Sequence, residues 1–101
     1  MSKISVVAKV TAQDGKRADL VAGMGVMMDH VENEPGTLKY ILMEDAADEN
    51  VVWLYEEYDN RGSFDAHAGS EVMKSLGESI GPFMAGRPEL SFCTPVRGKG
   101  L

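Results

Sequence analysis

The chain has 101 residues, enough for one domain spanning 1–101, and a fold of that size buries roughly two thirds of the surface its unfolded chain exposes, so a partner subunit would help. With 16 Asp and Glu against 10 Lys and Arg, and no basic cluster longer than Lys16-Arg17, the composition argues against a nucleic-acid footprint or an anionic membrane surface. The lone Cys93 rules out an intrachain disulfide, no apolar run approaches membrane-spanning length, and the first ten residues lack a long apolar stretch and a small-residue cleavage site, so a reduced, cytoplasmic protein is the expectation.

Ile4 to Thr11 alternates Ile4, Val6, Ala8 and Val10 with Ser5, Val7, Lys9 and Thr11, a first strand with one strongly apolar face and one mixed face. Gln13-Asp14-Gly15 ends it. From Lys16 to Glu34 the residues Leu20, Val21, Met24, Met27, Met28 and Val31 fall on one helical stripe, and Pro35-Gly36 stops the helix. Gly23 and Gly25 sit inside it, where each weakens a helix by about 1 kcal/mol relative to Ala. They either allow close helix packing or loosen the region around the methionines.

Thr37 to Glu44 is a second alternating strand, and the short polar turn Asp45 to Asn50 joins it to Val51 to Tyr58 as a hairpin. That third strand is rich in β-branched and aromatic residues and is expected to be covered on both faces, with Trp53 and Tyr55 on one side and Val52 and Leu54 on the other. Whichever of Trp53 and Tyr55 meets the helices should touch Phe64 or His67, because the connection to the next helix is short. Glu56 and Glu57 face opposite sides, so at most one enters a site.

Asp59 and Asn60 are good N-cap residues for a helix through Ala68, in which Phe64, His67 and Ala68 share one face, so His67 points inward. Ser70 can cap a further helical piece carrying Val72, Met73, Leu76 and Ile80, which Gly81-Pro82 ends. Phe83 and Met84 lie in a connecting segment. Pro88 to Val96 reads as a last strand whose Pro95 fits only an edge or a strand end, and Arg97 to Leu101 reads as a loose tail.

The order β-α-β-β-α-β gives an α+β, ferredoxin-like sandwich: a four-stranded antiparallel sheet with its helices on one face. The other sheet face also carries apolar residues, and an identical sheet from a second chain is the simplest cover for it.

Three stretches carry a resemblance to a known family: Glu34-Pro-Gly36 with Tyr40, Leu54-Tyr55-Glu56-Glu57-Tyr58, and Phe64-Asp-Ala-His67. Together they make the chain resemble the antibiotic biosynthesis monooxygenases, small dimeric α+β barrel proteins that include quinol monooxygenase-like members. The resemblance covers nearly the whole chain. It implies a back-to-back homodimer with one pocket per subunit between helices and sheet, and it matches His67 to the family's pocket-facing histidine. Oxygenases of this kind use no flavin, metal or haem. The sequence agrees with that expectation, lacking a dinucleotide-binding or phosphate-binding glycine motif. The pairs His30 with Glu34 and His67 with Glu71 have helical spacing, but a single pair is poor evidence for a metal. Haem-degrading relatives look to need an asparagine on the first strand, which this chain lacks.

Without a cofactor, an aromatic diol reacts with dioxygen when a base removes a proton, since a phenolate gives up an electron more readily than a phenol. His67 is suited to that role because the ordinary histidine pKa of about 6.5 lies near working pH. Trp53, Tyr55, Tyr40, Phe64, Phe83, Met24 and Met28 are the expected walls of a small aromatic-binding pocket. An inward histidine also serves as a hydrogen-bonded core residue, and helix-spaced methionines usually pack a core. The alternatives on the same scaffold are an isomerase of a small metabolite, in which His67 moves a proton between carbons, and a non-catalytic ligand-binding or stress-related dimer.

Overall fold

A computed structural model describes residues 2–101. Its strands are β1 (Ile4–Thr11), β2 (Thr37–Glu44), β3 (Val51–Tyr58) and β4 (Glu89–Cys93), and its helices α1 (Arg17–Gly23), α2 (Gly25–His30), α3 (Arg61–Ala68) and α4 (Glu71–Ile80). The sheet order is β2-β3-β1-β4, with every neighbouring pair antiparallel. This is the ferredoxin-like arrangement. Among the described residues no helix is long and apolar enough to cross a membrane.

The register decides which side chains meet the helices. Val6, Ala8 and Val10 on β1 stand opposite Glu56, Leu54 and Val52 on β3; Ala8, Val10, Val52 and Leu54 pack on Leu20, Met24, Met27, Leu76 and Ile80 in one core, and Val6 packs with Tyr58 and Phe64 in a second. Burying side chains of this size stabilises the fold by about 1.5–3 kcal/mol each. The stripe expected between Lys16 and Glu34 is present, but two helices carry it instead of one. They are separated by Met24, whose backbone stays in the right-handed helical region, and a 3₁₀ turn follows over Val31–Asn33. The break falls between the two weak helix formers Gly23 and Gly25. Gly23 is where α1 meets α4: a Cβ there would stand 2.7 Å from Ile80 Cγ2.

Both expected caps form, the Asn60 side chain accepting from Ser63 N at the start of α3 and the Ser70 hydroxyl from Met73 N at the start of α4. In the hairpin turn the Asp45 carboxylate accepts from the Asp48 and Ala47 amides and from Trp53 Nε1. The Asp48 amide, then the Trp53 indole and the Ala47 amide, hold its pKa down to about 2. Arg17 Nη1 donates to the carbonyls of Asp45, Asp48 and Val51, tying α1 to that turn. The tail is less free than its composition suggests. Residues 95–101 lie along the sheet face away from the helices, and Lys39 Nζ donates to the Gly100 carbonyl.

Candidate functional site

α3 begins at the Asn60 cap and turns Phe64 and His67 inward three residues apart, leaving His67 only 2% exposed. Its Nδ1 lies 2.8 Å from Glu34 Oε1. Glu34 follows the 3₁₀ turn in extended backbone, the conformation favoured before Pro35, and this aims its side chain at α3. The Thr37 hydroxyl donates to the same Oε1 at 2.8 Å, and His30 Nε2 lies 3.1 Å from Oε2. Burial pushes the Glu34 carboxyl up, but the hydrogen bonds from His67 and Thr37 and the nearby histidine charges outweigh it and hold the pKa below the ordinary value. A carboxylate only accepts, so Nδ1 carries the hydrogen. In the neutral form of the ring the lone pair is then on Nε2, an atom buried without a hydrogen-bond partner among the described residues.

His67 forms part of the wall of a cavity of about 250 Å³ between sheet and helices. Val6, Ala8, Leu54, Phe64, Leu76 and Leu90 supply much of the remaining wall, which is almost wholly apolar. A cavity of about 150 Å³ takes benzene, so this one suits one aromatic ring with substituents, or two fused rings. The polar side chains on it besides His67 are Glu56 and Tyr40. Glu56 is 5% exposed and accepts from the Tyr58 hydroxyl at 2.5 Å. Burial raises its pKa, against the lowering effect of Tyr58 and of charge on His67. Burial also raises Tyr40 and Tyr58 well beyond the ordinary phenol range, and neighbouring carboxylates add to it, so both stay neutral. Their rings stand 5.1 and 5.5 Å from the His67 ring.

Of the residues expected to form the pocket, His67, Tyr40, Phe64 and Met24 do line it. Trp53 and Tyr55 do not. Because Val52, Leu54 and Glu56 face the helices, strand alternation sends Trp53 and Tyr55 to the other face, where Trp53 bonds Asp45 Oδ1 and Tyr55 meets Ser5 Oγ at 3.3 Å. Neither therefore reaches Phe64 or His67, and Tyr40 and Tyr58 take that place. Met28 sits half-buried beside the stripe of Leu20, Met24, Met27 and Val31, off the cavity wall. Phe83 ends a 3₁₀ turn over Gly81–Phe83 and packs against the main core instead. Of the pair Glu56 and Glu57, at most one of which was expected to enter a site, Glu56 is the one on the cavity wall, and Glu34 and Tyr58 join it although the sequence did not single them out for it. The available signals were the Glu34-Pro-Gly36 stretch and the alternation that puts Glu56 on the face of Leu54.

The model of the family described as antibiotic biosynthesis monooxygenase matches residues 3–78, which include Glu34, Glu56 and His67. The chain belongs to the antibiotic biosynthesis monooxygenase family. A Caulobacter crescentus structure provisionally named as such a monooxygenase shares 31% identity, with a TM-score of 0.90 over 95% of this chain and 92% of that one. One from Chloroflexus aurantiacus, named in the same provisional way, shares 25% identity, with a TM-score of 0.81 over 98% of each chain. A Mycobacterium tuberculosis protein, at 24% identity and a TM-score of 0.87 over 98% of this chain and all (100%) of that one, shares the fold. No curated protein matches the sequence. The family is thus monooxygenase-like in name and fold, and the particular reaction has to be argued from the site.

Proposed function

We propose that this protein is a cofactor-independent monooxygenase of small aromatic diols, of quinol or related polyketide type, with His67 as its base. The observation that carries this reading is the setting of the His67 ring: Glu34 pairs with Nδ1, while Nε2 has no protein partner, on a residue that walls an apolar, aromatic-sized cavity. A cavity of about 250 Å³ takes one substrate ring system and leaves little room for a flavin beside it.

The chemistry balances without an outside reductant. Nε2 takes the proton of one hydroxyl, and Glu34 stabilises the imidazolium that forms. The phenolate passes one electron to dioxygen, and the resulting ring radical and superoxide join as a C–O bond. The bound peroxide takes the proton back from His67. Loss of the ring hydrogen at that carbon and cleavage of the O–O bond then expel water and leave a carbonyl. One diol and one dioxygen give one hydroxyquinone and one water. The apolar wall favours this course by keeping bulk water from the intermediates.

A second reading, the isomerase, draws on Glu56. A buried carboxyl held toward its acid form near the base could return a proton to a different carbon, with no oxygen consumed.

The working unit we propose is a homodimer. The sheet face away from the helices exposes Ile41 (47%) and Met43 (43%) beside the half-buried Val7, Trp53 and Tyr55, and a second copy would cover these in a twofold contact. On the same face Glu57 is 2% exposed, with Lys3 Nζ at 3.5 Å and Lys39 Nζ at 3.8 Å. The Glu57 charge is therefore already paired within the subunit.

An oxygen electrode run with a panel of one-ring and two-ring quinols tests the reaction. The expected result is uptake of one dioxygen per diol with formation of the hydroxyquinone. Conversion of a carbonyl compound to its isomer with no uptake would favour the second reading, and saturable binding with neither would leave a non-catalytic binder.

A further inference from the structure

The cavity offers more than a base. Apart from His67 and Tyr40, its wall carries one polar side chain, Glu56, contributed by β3 from the sheet side, whereas His67 comes from α3. Tyr58 connects the two: its ring stands 5.5 Å from that of His67, and its hydroxyl donates to Glu56 Oε1. A carboxylate has two oxygens and about four acceptor positions, so one tyrosine leaves Oε2 unclaimed. No described residue donates to it.

Oε2 is not among the fully buried unpartnered atoms, so it keeps accessible surface on a residue of the cavity wall and is free to accept from whatever enters. Glu56 has a structural role in satisfying the buried Tyr58 hydroxyl, but that role takes up Oε1 and leaves Oε2 over. The carboxyl and the tyrosine form a unit with one oxygen to spare on a residue of the cavity wall.

We infer that Glu56 is a second substrate-binding residue, accepting a hydrogen bond from one hydroxyl of a diol whose other hydroxyl meets His67 Nε2. The inference rests on the proposed function and deepens it: the ligand class narrows from aromatic diols in general to those whose two oxygens lie on opposite sides of one ring system. A hydroxyl donating to a carboxylate also pushes electron density onto the ring, which eases electron loss to dioxygen. The burial that raises the Glu56 pKa strengthens it as an acceptor whenever it is ionised.

Anaerobic calorimetry tests this without turnover, using 1,4-dihydroxynaphthalene and its monomethyl ether as probes. The wild-type chain is expected to bind the diol about tenfold more tightly, the worth of one hydrogen bond to a charged group. In Glu56→Gln the amide can still accept from Tyr58 but turns a donor toward the cavity, so the preference should vanish or reverse. In His67→Ala the preference should persist with both affinities lowered. Infrared difference spectra of the wild-type chain give a second readout, because the diol should shift a buried carboxyl band that the ether leaves in place. Equal affinities in the wild-type chain, no binding of either probe, or a preference unchanged in Glu56→Gln would overturn the assignment. A diol preference lost in Glu56→Gln, in a protein that consumes no oxygen, would sustain the binding role and reject the oxygenase.

Discussion

Glu34 and His67 come from different segments of the helical layer, one at the end of the helical segment before β2 and the other near the end of α3, and Oε1 and Nδ1 meet at 2.8 Å. The contact sets the tautomer of the imidazole and supplies negative charge to the imidazolium. Glu34→Gln keeps the shape and removes the charge. The expected outcome is a fall in kcat of about two orders of magnitude with little change in KM, since the charge matters mainly once the ring is protonated. Steady-state oxygen uptake checks it, and a change in KM alone would reassign Glu34 to binding.

The two carboxyls of the site should shape stability against pH with opposite sign. The Glu34 pKa is lowered in the fold, so its contribution is present above the ordinary carboxyl value of 4.5 and is lost as pH falls through the lower folded value. The Glu56 pKa is raised, so the folded state holds its proton more tightly than the unfolded chain and this group costs stability as pH rises from 4.5 through its folded value. At pH 7 Glu56→Gln is therefore expected to melt higher than the wild-type chain and Glu34→Gln lower. Both differences should shrink toward pH 3, as followed by thermal melts across that range.

Two glycines separated by a single residue should answer to alanine in opposite directions. At Gly23 the new Cβ would meet the buried, β-branched Ile80 at 2.7 Å, and overpacking of this kind costs about 1–3 kcal/mol. At Gly25 nothing lies within 4 Å, so Gly25→Ala should gain up to about 1 kcal/mol of helix propensity. Urea titrations of the two variants compare them directly.

Hydrophobic periodicity is a strong signal where one face is buried, and this is why the strand limits of β1, β2 and β3 and the caps Asn60 and Ser70 were legible residue by residue. It says nothing about which face of a doubly covered strand turns toward the helices. Trp53 and Tyr55 read as pocket walls by virtue of being aromatic, yet the pairing of Leu54 with Ala8 and of Glu56 with Val6 puts both on the outer face. His67 was legible from its spacing to Phe64. Its partner Glu34 was not, because a contact between segments so far apart in sequence depends on how α2 and α3 settle on the sheet. The short 3₁₀ turns around Val31 and Phe83 were missed for a related reason, since tertiary packing decides them more than local propensity.

The outer sheet face makes a prediction independent of catalysis. Sedimentation equilibrium at micromolar concentration is expected to show a dimer, and Ile41→Glu with Met43→Lys should yield a folded monomer by placing charge in the apolar contact. A wild-type chain that sediments only as a monomer would remove the dimer from the account.

The most direct measurement of the central claim is oxygen uptake on a reactive quinol by the wild-type chain and by His67→Ala, with circular dichroism to establish that both are folded. If Nε2 is the base, the substitution lowers turnover by about two to four orders of magnitude, the usual contribution of a general base, while the fold persists. Unchanged turnover with a lowered melting temperature would show that His67 is a buried structural residue and would contradict the account.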